Sequence, residues 1–395
     1  MISFELTKEE KELQKMANES ALKYVRPVAR YYDEYEHEHD DIKEKDEIIK
    51  AQQGLSLKSL EVRQKTGGKG ADLLSMILME EANWGDAGLS LGATNAGLGN
   101  AAIMAVATPD QSKQFGGQYT AMAITEPCCG SDSASIQATA KLDSDTNEWV
   151  LNGEKIFVTG ADRCKAVVVW ASLDRSKGRP AIKSFIVPKG TPGFTHSKLE
   201  NKLGIRASDT GSFVLEDCRI PYENILGSPE IVEKSGGFKG VMKTFDWTRP
   251  IIAIQAVGVA RAALDFTKQK LEEEGYIFPY NQSVNSLTVT QREIMNMEIN
   301  LEVARLLAWR SSAIMNKGLR NSLEASMAKA KSGRSASLVT QKCVELLGPL
   351  GYSREWLVEK WMRDCKITDL FEGTGQIQML IIARTILGFS RDTLK

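Results

Sequence analysis

The chain is 395 residues long, with 50 Lys and Arg against 51 Asp and Glu and 42% hydrophobic residues, enough for two or three domains with their own cores. A formal net charge of -1 at pH 7 gives no global field toward nucleic acid or an anionic membrane, whose binding needs clustered Lys and Arg. No apolar run approaches the roughly 20 residues that cross a bilayer, so no membrane span is expected.

Met1 to Glu10 has neither a basic n-region nor an apolar h-region, so no signal or transit peptide is read there. Thr7 is a candidate N-cap with Glu10 three residues on, and the Glu-, Lys-, Ala- and Leu-rich stretch to Ile49 lacks strand-like alternation. It is expected to be helical. After a Gly/Lys-rich interruption at Lys65 to Gly70, apolar residues recur helically through Leu73, Leu74, Ile77 and Leu78, and the small-residue segment Gly97 to Thr108 is expected to be a buried helix. The loop around Pro109 to Gly117 is short.

The pattern changes near residue 120. Ala121 to Ile124, Trp149 to Leu151, Ile156 to Thr159, Ala166 to Trp170, Lys183 to Val187 and Ser212 to Leu215 are short β-branched or aromatic runs bounded by Gly, Pro, Asn or Asp. Asn152-Gly153 is a strong turn dipeptide and predicts a hairpin joining two of them. From Gly240 long helical patterns return: Arg249 to Glu273, Val289 to Asn316, Leu323 to Leu347, Glu355 to Arg363 and Gly375 to Leu387. Pro250 suits an early helical position, Gly348-Pro349 ends a helix, and Glu274 to Ser286 is expected to be a weakly ordered loop. The fold class is therefore α+β multidomain: an N-terminal α-helical domain (1–120), a middle antiparallel β domain of sandwich or barrel type (121–230) and a C-terminal four-helix-bundle domain (231–395).

The residue supply narrows the chemistry. The six cysteines include one adjacent pair, Cys128 and Cys129, and show no CxxC or Cys/His zinc spacing. They are expected to be reduced thiols in a cytosol-like compartment. With three histidines, two of them (His37 and His39) inside an acidic stretch, a His triad or a metal site is poorly supplied. No metal is expected, and the chemistry is assigned to carboxylates or a bound cofactor.

Three segments stand out. Ile124-Thr125-Glu126-Pro127-Cys128-Cys129-Gly130-Ser131-Asp132 leaves an apolar strand for a Gly/Ser loop whose backbone N-H groups and hydroxyls suit a ring edge or a phosphate. Read alone, from its spacing, it is a surface turn, since Gly-Ser-Asp is common in turns. Phe157 and Thr159 share a strand face, an aromatic beside a hydroxyl, as a flat cofactor or any half-buried strand would require. Glu372 lies in a short loop before a helix, flanked by Gly373 and Gly375. Alone it is a solvated Glu whose pKa the helix N-terminus lowers, making it a poorer base.

Taken in order across an α-β-α plan, these segments, with Gly237-Phe238, Phe245-Asp246, Thr248-Arg249-Pro250, Met362-Arg363-Asp364, Glu372-Gly373-Thr374 and Gln376-Ile377-Gln378, resemble the FAD-dependent acyl-CoA dehydrogenase family of medium- and short-chain type. The resemblance spans nearly the whole chain. It implies α,β-desaturation of an acyl-CoA thioester in fatty acid metabolism, with FAD as hydride acceptor, Glu372 as α-proton base and an electron-transfer flavoprotein receiving the electrons. It implies cofactor contacts from Thr125, Ser131, Phe157, Thr159, Thr374 and Gln376, and substrate-side roles for Arg249 and Glu372. It also implies a tetramer in the cytoplasm, or in the mitochondrial matrix of a eukaryote.

The sequence departs from the family where a subunit offers residues to its neighbour's FAD. The usual arginine before a Phe-Gly is absent from Leu271 to Tyr280, where Glu272, Glu273 and Glu274 stand together, and Thr288 and Gln291 flank the place of a downstream glutamine. Glu345 and Pro349 replace the usual Gln and a Gly of a Gly-Gly pair. A carboxylate facing a pyrophosphate repels it. Two alternatives follow: a heterotetramer with a paralogous subunit that supplies the arginine, or a homotetramer that uses another, such as Arg292 or Arg334. A flavin-poor, non-catalytic subunit and an acyl-CoA oxidase are the remaining readings. Leu55 to Gly70 replaces a segment that shapes the acyl pocket in the family, so acyl chain length stays open.

Overall fold

The structure, a computed structural model, describes residues 5–36, 43–65, 71–92, 97–232, 238–390 and 393. Thr7 Oγ1 accepts from the Glu10 N-H at 3.2 Å while Glu10 Oε2 accepts from the Thr7 N-H at 2.7 Å, the reciprocal cap that starts α1 (Lys8–Ser20). The chain continues through a π turn and a 3-10 turn into α2 (Ala29–Glu34), then α3 (Lys43–Lys65), α4 (Ala71–Gly85), α5 (Ala87–Gly92), α6 (Gly99–Val106) and α7 (Pro109–Phe115). The helical run thus extends past Ile49 to Lys65, and residues 66–70 lie outside the described residues, as do His37, His39 and Gly237. The segment read as a short loop around Pro109 is a helix, because Thr108 and Gln111 form a second capping box and Pro109 occupies the first turn, where its missing N-H costs nothing.

Among the described residues seven strands follow: β1 (Thr120–Ala123), β2 (Thr139–Asp143), β3 (Glu148–Thr159), β4 (Ala166–Ser172), β5 (Ile182–Pro188), β6 (Phe194–Leu199) and β7 (Thr210–Pro221). They make one sheet in the order β1-β4-β2-β3-β7-β6, with β5 also paired to β4. Most pairings are antiparallel; β1 runs parallel to β4, and β2 meets β4 in parallel at Thr139 and Ser172. β4 reads as an unbroken apolar run because both faces are covered: Val167 and Val169 enter one cluster with Phe185 and Trp149, while Val168 and Trp170 enter another with Ile186 and Phe115.

The expected hairpin at Asn152-Gly153 does not form. β3 passes straight through the dipeptide, and its register against β7 shifts there instead. Gly153 holds φ at +146°, and a Cβ on it would stand 2.7 Å from the Ala138 Cβ. Asn152 spends its side chain across the bulge, accepting from the Asp217 N-H at 2.8 Å and donating to Asp217 Oδ1 at 3.1 Å. A residue pair suited to a tight turn also suits a bulge.

The remaining helices are α8 (Phe238–Glu273), α9 (Val289–Asn316), α10 (Ser322–Leu347), α11 (Pro349–Tyr352), α12 (Val358–Lys366) and α13 (Gly375–Leu387). Pro250 lies deep inside α8 rather than in its first turn. A proline at this position removes the N-H that would reach the Asp246 carbonyl, and Asn321 Nδ2 donates to that carbonyl at 3.0 Å in its place. The segment Glu274 to Ser286, expected to be weakly ordered, is tied down: Phe278 is buried, the Tyr280 hydroxyl donates to Glu298 at 2.7 Å, and Gln291 Nε2 donates to the Ile277 carbonyl at 2.7 Å. α8 also contains a window apolar and long enough to cross a membrane, with mean hydropathy 1.3, but 78% of that window is buried within the protein, as in the core helix of a globular domain.

The chain divides into two compact units. The first contains α1–α5, the segment Leu203–Ala207, α8 from Asp246 onward and α9–α13; the second contains α6, α7, the sheet and the chain to Phe245. In the first unit Arg363 and Asp364 have structural tasks: Arg363 pairs with Asp33 at 2.6 Å and Glu359 at 2.7 Å, and Asp364 accepts from the Ile205 N-H at 2.6 Å and pairs with the buried Lys360 at 2.5 Å.

Candidate active site

In the first unit, Glu372 closes the connection from the 3-10 turn Ile367–Asp369 to α13. Its φ is +57° and that of Gly373 is +91°. A non-glycine residue held there carries strain on the order of 1 kcal/mol, so neighbouring contacts must hold the turn. They do. Lys329 Nζ donates to the Gly373 carbonyl at 3.1 Å, Gln378 Nε2 donates to the Gly373 and Glu372 carbonyls at 3.0 and 3.3 Å, and Arg249 Nε reaches the Glu372 carbonyl at 3.5 Å. A Cβ on Gly373 would lie 2.5 Å from Gln378 Nε2, so bulk there would dislodge one of these donors.

The carboxylate is held by the Thr248 hydroxyl, which donates to Oε2 at 2.6 Å. Burial pushes the Glu372 pKa above the ordinary carboxylate value, against the Thr248 hydrogen bond and the charges of Arg249 and Lys329, which pull it down. The direction is opposite to that of a lone, solvated Glu at a helix N-terminus: desolvation outweighs the helix terminus. The Glu372 N-H donates to no group among the described residues, which leaves it available to a ligand oxygen. Arg249 is 2% exposed and also meets Asp246 at 3.2 Å. Thr374 caps α13 by accepting from the Ile377 N-H at 3.3 Å, and Gln376 is exposed in that helix's first turn.

Lys329 was not singled out from the sequence, and Thr248 stood there only within the Thr248-Arg249-Pro250 motif, with no role of its own. Lys329 is fully buried on α10, its pKa pulled down to about 8 by desolvation against the attraction of Asp369 and Glu372. A sequence signal exists: Ala325, Lys329, Ser332 and Ala336 recur at helical spacing, placing a lysine on the buried stripe of its helix.

In the second unit, Thr125 and Ser131 lie on the loop after β1, and Phe157 and Thr159 at the end of β3. The Ile156 N-H donates to the Thr125 carbonyl at 2.9 Å, joining loop to strand. The β3-β7 register shifts again between Lys155 and Val158, and within this bulge Phe157 takes φ +57° with its ring 61% exposed, while Val158 is buried. Beneath it, the buried pair Lys155 Nζ to Glu126 Oε1 at 2.6 Å anchors the loop, and Glu126 also accepts from the Gln137 and Ala138 N-H groups at 2.5 and 3.0 Å.

Known proteins resemble the chain along most of its length. Residues 7–122, 121–218 and 235–387 match the models of the acyl-CoA dehydrogenase N-terminal, middle and C-terminal domains. The mitochondrial short-chain specific acyl-CoA dehydrogenase of Bos taurus is 35% identical over 393 residues, covering 98% of this chain and 92% of that protein. The chain belongs to the acyl-CoA dehydrogenase family. Among solved structures, butyryl-CoA dehydrogenase from Megasphaera elsdenii superposes with a TM-score of 0.82 at 31% identity, covering 98% of this chain and all of that one. A chain from a structure of the electron transferring flavoprotein of Acidaminococcus fermentans has the same TM-score at 30% identity and 98% coverage of this chain. The fold is the family's helical, β and helical succession, and the family is one of FAD-dependent enzymes.

The second unit's donor set fits that cofactor. The Gly130 and Ser131 N-H groups and the Thr125 and Thr159 hydroxyls have no partner among the described residues, and the Phe157 ring stands exposed on strained backbone in the same unit. Unspent N-H groups with hydroxyls suit a phosphate, and a bare ring face suits a flat heterocycle.

Proposed function

We propose that the protein desaturates a short-chain acyl-CoA at its α and β carbons, with Glu372 as the base that takes the α proton. The observation that carries this reading is the Glu372 turn: a carboxylate of raised pKa, fixed by Thr248, on backbone pinned by three side chains. An α proton beside a thioester is too weakly acidic for a free carboxylate, so the developing enolate needs donors at the thioester oxygen. The unspent Glu372 N-H supplies one. Burial strengthens the carboxylate as a base, and the charges of Arg249 and Lys329 oppose that rise. When bound, FAD supplies the two-electron acceptor for the hydride of the β carbon.

Thr125, Ser131 and Thr159 are assigned as hydrogen-bond donors to the cofactor, Phe157 as the surface on which its ring rests, and Thr374 and Gln376 as further contacts at the positive end of α13. Arg249 is assigned to the acyl site through the Glu372 carbonyl it touches. The short-chain substrate class follows the names of the relatives, and an electron-transfer flavoprotein is the proposed electron acceptor. The protein is proposed to work in the cytoplasm, or in the mitochondrial matrix of a eukaryote. Bleaching of the purified yellow protein by butyryl-CoA under anaerobic conditions tests the reading; flavin-replete protein that no short-chain acyl-CoA bleaches would overturn it.

A second reading concerns assembly. Thr288 and Gln291 are spent on the capping box of α9, and Glu345 pairs with Lys342 at 2.8 Å, so the groups standing at the family's neighbour-facing positions are used within this chain. We propose a heterotetramer with a paralogous subunit. FAD per chain decides it: full occupancy in a stable homotetramer expressed alone would refute the heteromer.

A further inference from the structure

The cysteine sulfur that solvent can reach sits in one place. Cys164, Cys218, Cys343 and Cys365 are free and buried, and burial pushes their thiols up, to about 11 for Cys164, Cys218 and Cys365 and to about 12 for Cys343. They stay protonated and sheltered, and inert as nucleophiles. Cys128 and Cys129, expected to be reduced thiols, are instead joined to each other as a disulfide, because the turn Glu126 to Cys129 folds back on itself with reciprocal backbone bonds of 3.1 Å. Cys128 is exposed and Cys129 is 8% exposed.

We propose that Cys128-Cys129 is a thiol-disulfide exchange site for low-molecular-weight disulfides and dithiols. The asymmetric exposure sets the order of events. In the reduced protein, the Cys128 thiolate attacks a small disulfide RSSR, forming a mixed disulfide and releasing one RSH after proton uptake. The Cys129 thiol then loses its proton and attacks Cys128 Sγ, closing the protein disulfide and releasing the second RSH. The protein dithiol is oxidised by two electrons and the small disulfide is reduced by two. A dithiol reductant reverses both steps by attack on the exposed Cys128 sulfur.

Metal binding is the rival use of these atoms, since Glu126, Cys128 and Cys129 bring ligand atoms within 4.8 Å of one another. Glu126 is already spent: Lys155 and two backbone N-H groups hold its carboxylate. That same pairing neutralises the charge 3.6 Å from Cys128 Sγ, which would otherwise oppose a thiolate there. The turn leads directly into Gly130 and Ser131, so closing or opening the sulfur ring acts on the segment assigned to the cofactor. This bearing on flavin rests on the proposed function; the exchange chemistry does not.

The test uses the full-length purified protein. It is equilibrated with oxidised glutathione or with dithiothreitol, alkylated under native conditions with iodoacetamide and mapped by peptide mass. Both Cys128 and Cys129 are expected to take label after dithiothreitol and neither after glutathione disulfide, with the other four unlabelled throughout. The oxidised form is lighter by two hydrogens and shows slower amide exchange over residues 127–135. Cys129→Ser is expected to stop at one stable glutathione on Cys128, whereas the wild type retains none. Equal labelling of the pair in both states, a persistent glutathione adduct on the wild type, or no adduct on Cys129→Ser would overturn the proposal. Flavin content, read from the visible spectrum in parallel, reports on the proposed function alone, so the two readings fail separately.

Discussion

The Thr248 hydroxyl is the one side-chain donor bonded to the Glu372 carboxylate among the described residues, at 2.6 Å. Thr248→Val removes it with little change in volume. A hydrogen bond to a charged group is worth roughly 1.5–3 kcal/mol, and a pKa unit corresponds to about 1.4 kcal/mol, so its loss raises the Glu372 pKa by about one to two units. The sign follows from which form is bonded: the hydroxyl stabilises the carboxylate, so without it the proton is held more tightly and the base is ionised only at higher pH. The acidic limb of kcat/KM for butyryl-CoA, measured with an artificial electron acceptor across the acid-to-neutral range, should move upward by that amount. The plateau above the limb should change far less, and Thr248→Ser should restore the wild-type limb. Coincident limbs for Thr248→Val and wild type, at equal flavin content and Tm, would refute the assignment of Glu372 as base.

Glu372→Gln should abolish butyryl-CoA desaturation while acyl-CoA binding, followed by perturbation of the flavin spectrum, persists. Phe157→Ala should weaken FAD binding, read by flavin titration, and leave the stability of the flavin-free protein within about 0.5 kcal/mol, because the ring is 61% exposed. Asn321→Leu should cost about 1–3 kcal/mol and lower Tm, since it strips the Asp246 carbonyl of the donor that replaces the Pro250 N-H. Lys329 has its pKa lowered from 10.5 to about 8, so the native state sheds its proton before the unfolded chain does. Chemical denaturation should therefore show stability rising between those two pH values relative to Lys329→Met; identical pH dependence in the two proteins would refute the burial of that charge.

Much of the helical architecture was legible because its punctuation is local. The Thr7-Glu10 box starts α1 where expected, α9 and α13 have the bounds read from periodicity, and Gly348 ends α10 with φ +54° ahead of Pro349. The misreadings share a cause. Pro250 is a helix-starting residue by local rules, and only Asn321, distant in sequence, makes an interior proline tolerable. Asn152-Gly153 meets the local requirements of a turn, and only the strand partner β7 makes it a bulge. β2 and β6 escaped notice because their patterns are largely polar, with Thr139–Asp143 half exposed and Phe194–Leu199 anchored by one buried aromatic. In the site, Glu372 was reached through resemblance, whereas Lys329 and Thr248 depend on which groups burial brings beside it.

The same burial acts on every charged group of the Glu372 cluster, and its effects oppose one another usefully. It raises the carboxyls of Glu372 and Asp246 and lowers Arg249 and Lys329, driving each toward neutrality, while their mutual attraction drives each back toward charge. The two effects pull the Glu372 carboxyl in opposite directions, desolvation upward and the cations downward, and desolvation prevails. The backbone contacts settle how the compromise is kept. Arg249 and Lys329 donate to the carbonyls of Glu372 and Gly373 rather than to the carboxylate, so they supply positive potential without occupying the carboxylate oxygens. Thr248 alone among the described residues occupies one of them, Oε2, so under the proposed role of Glu372 as base the α proton would go to Oε1.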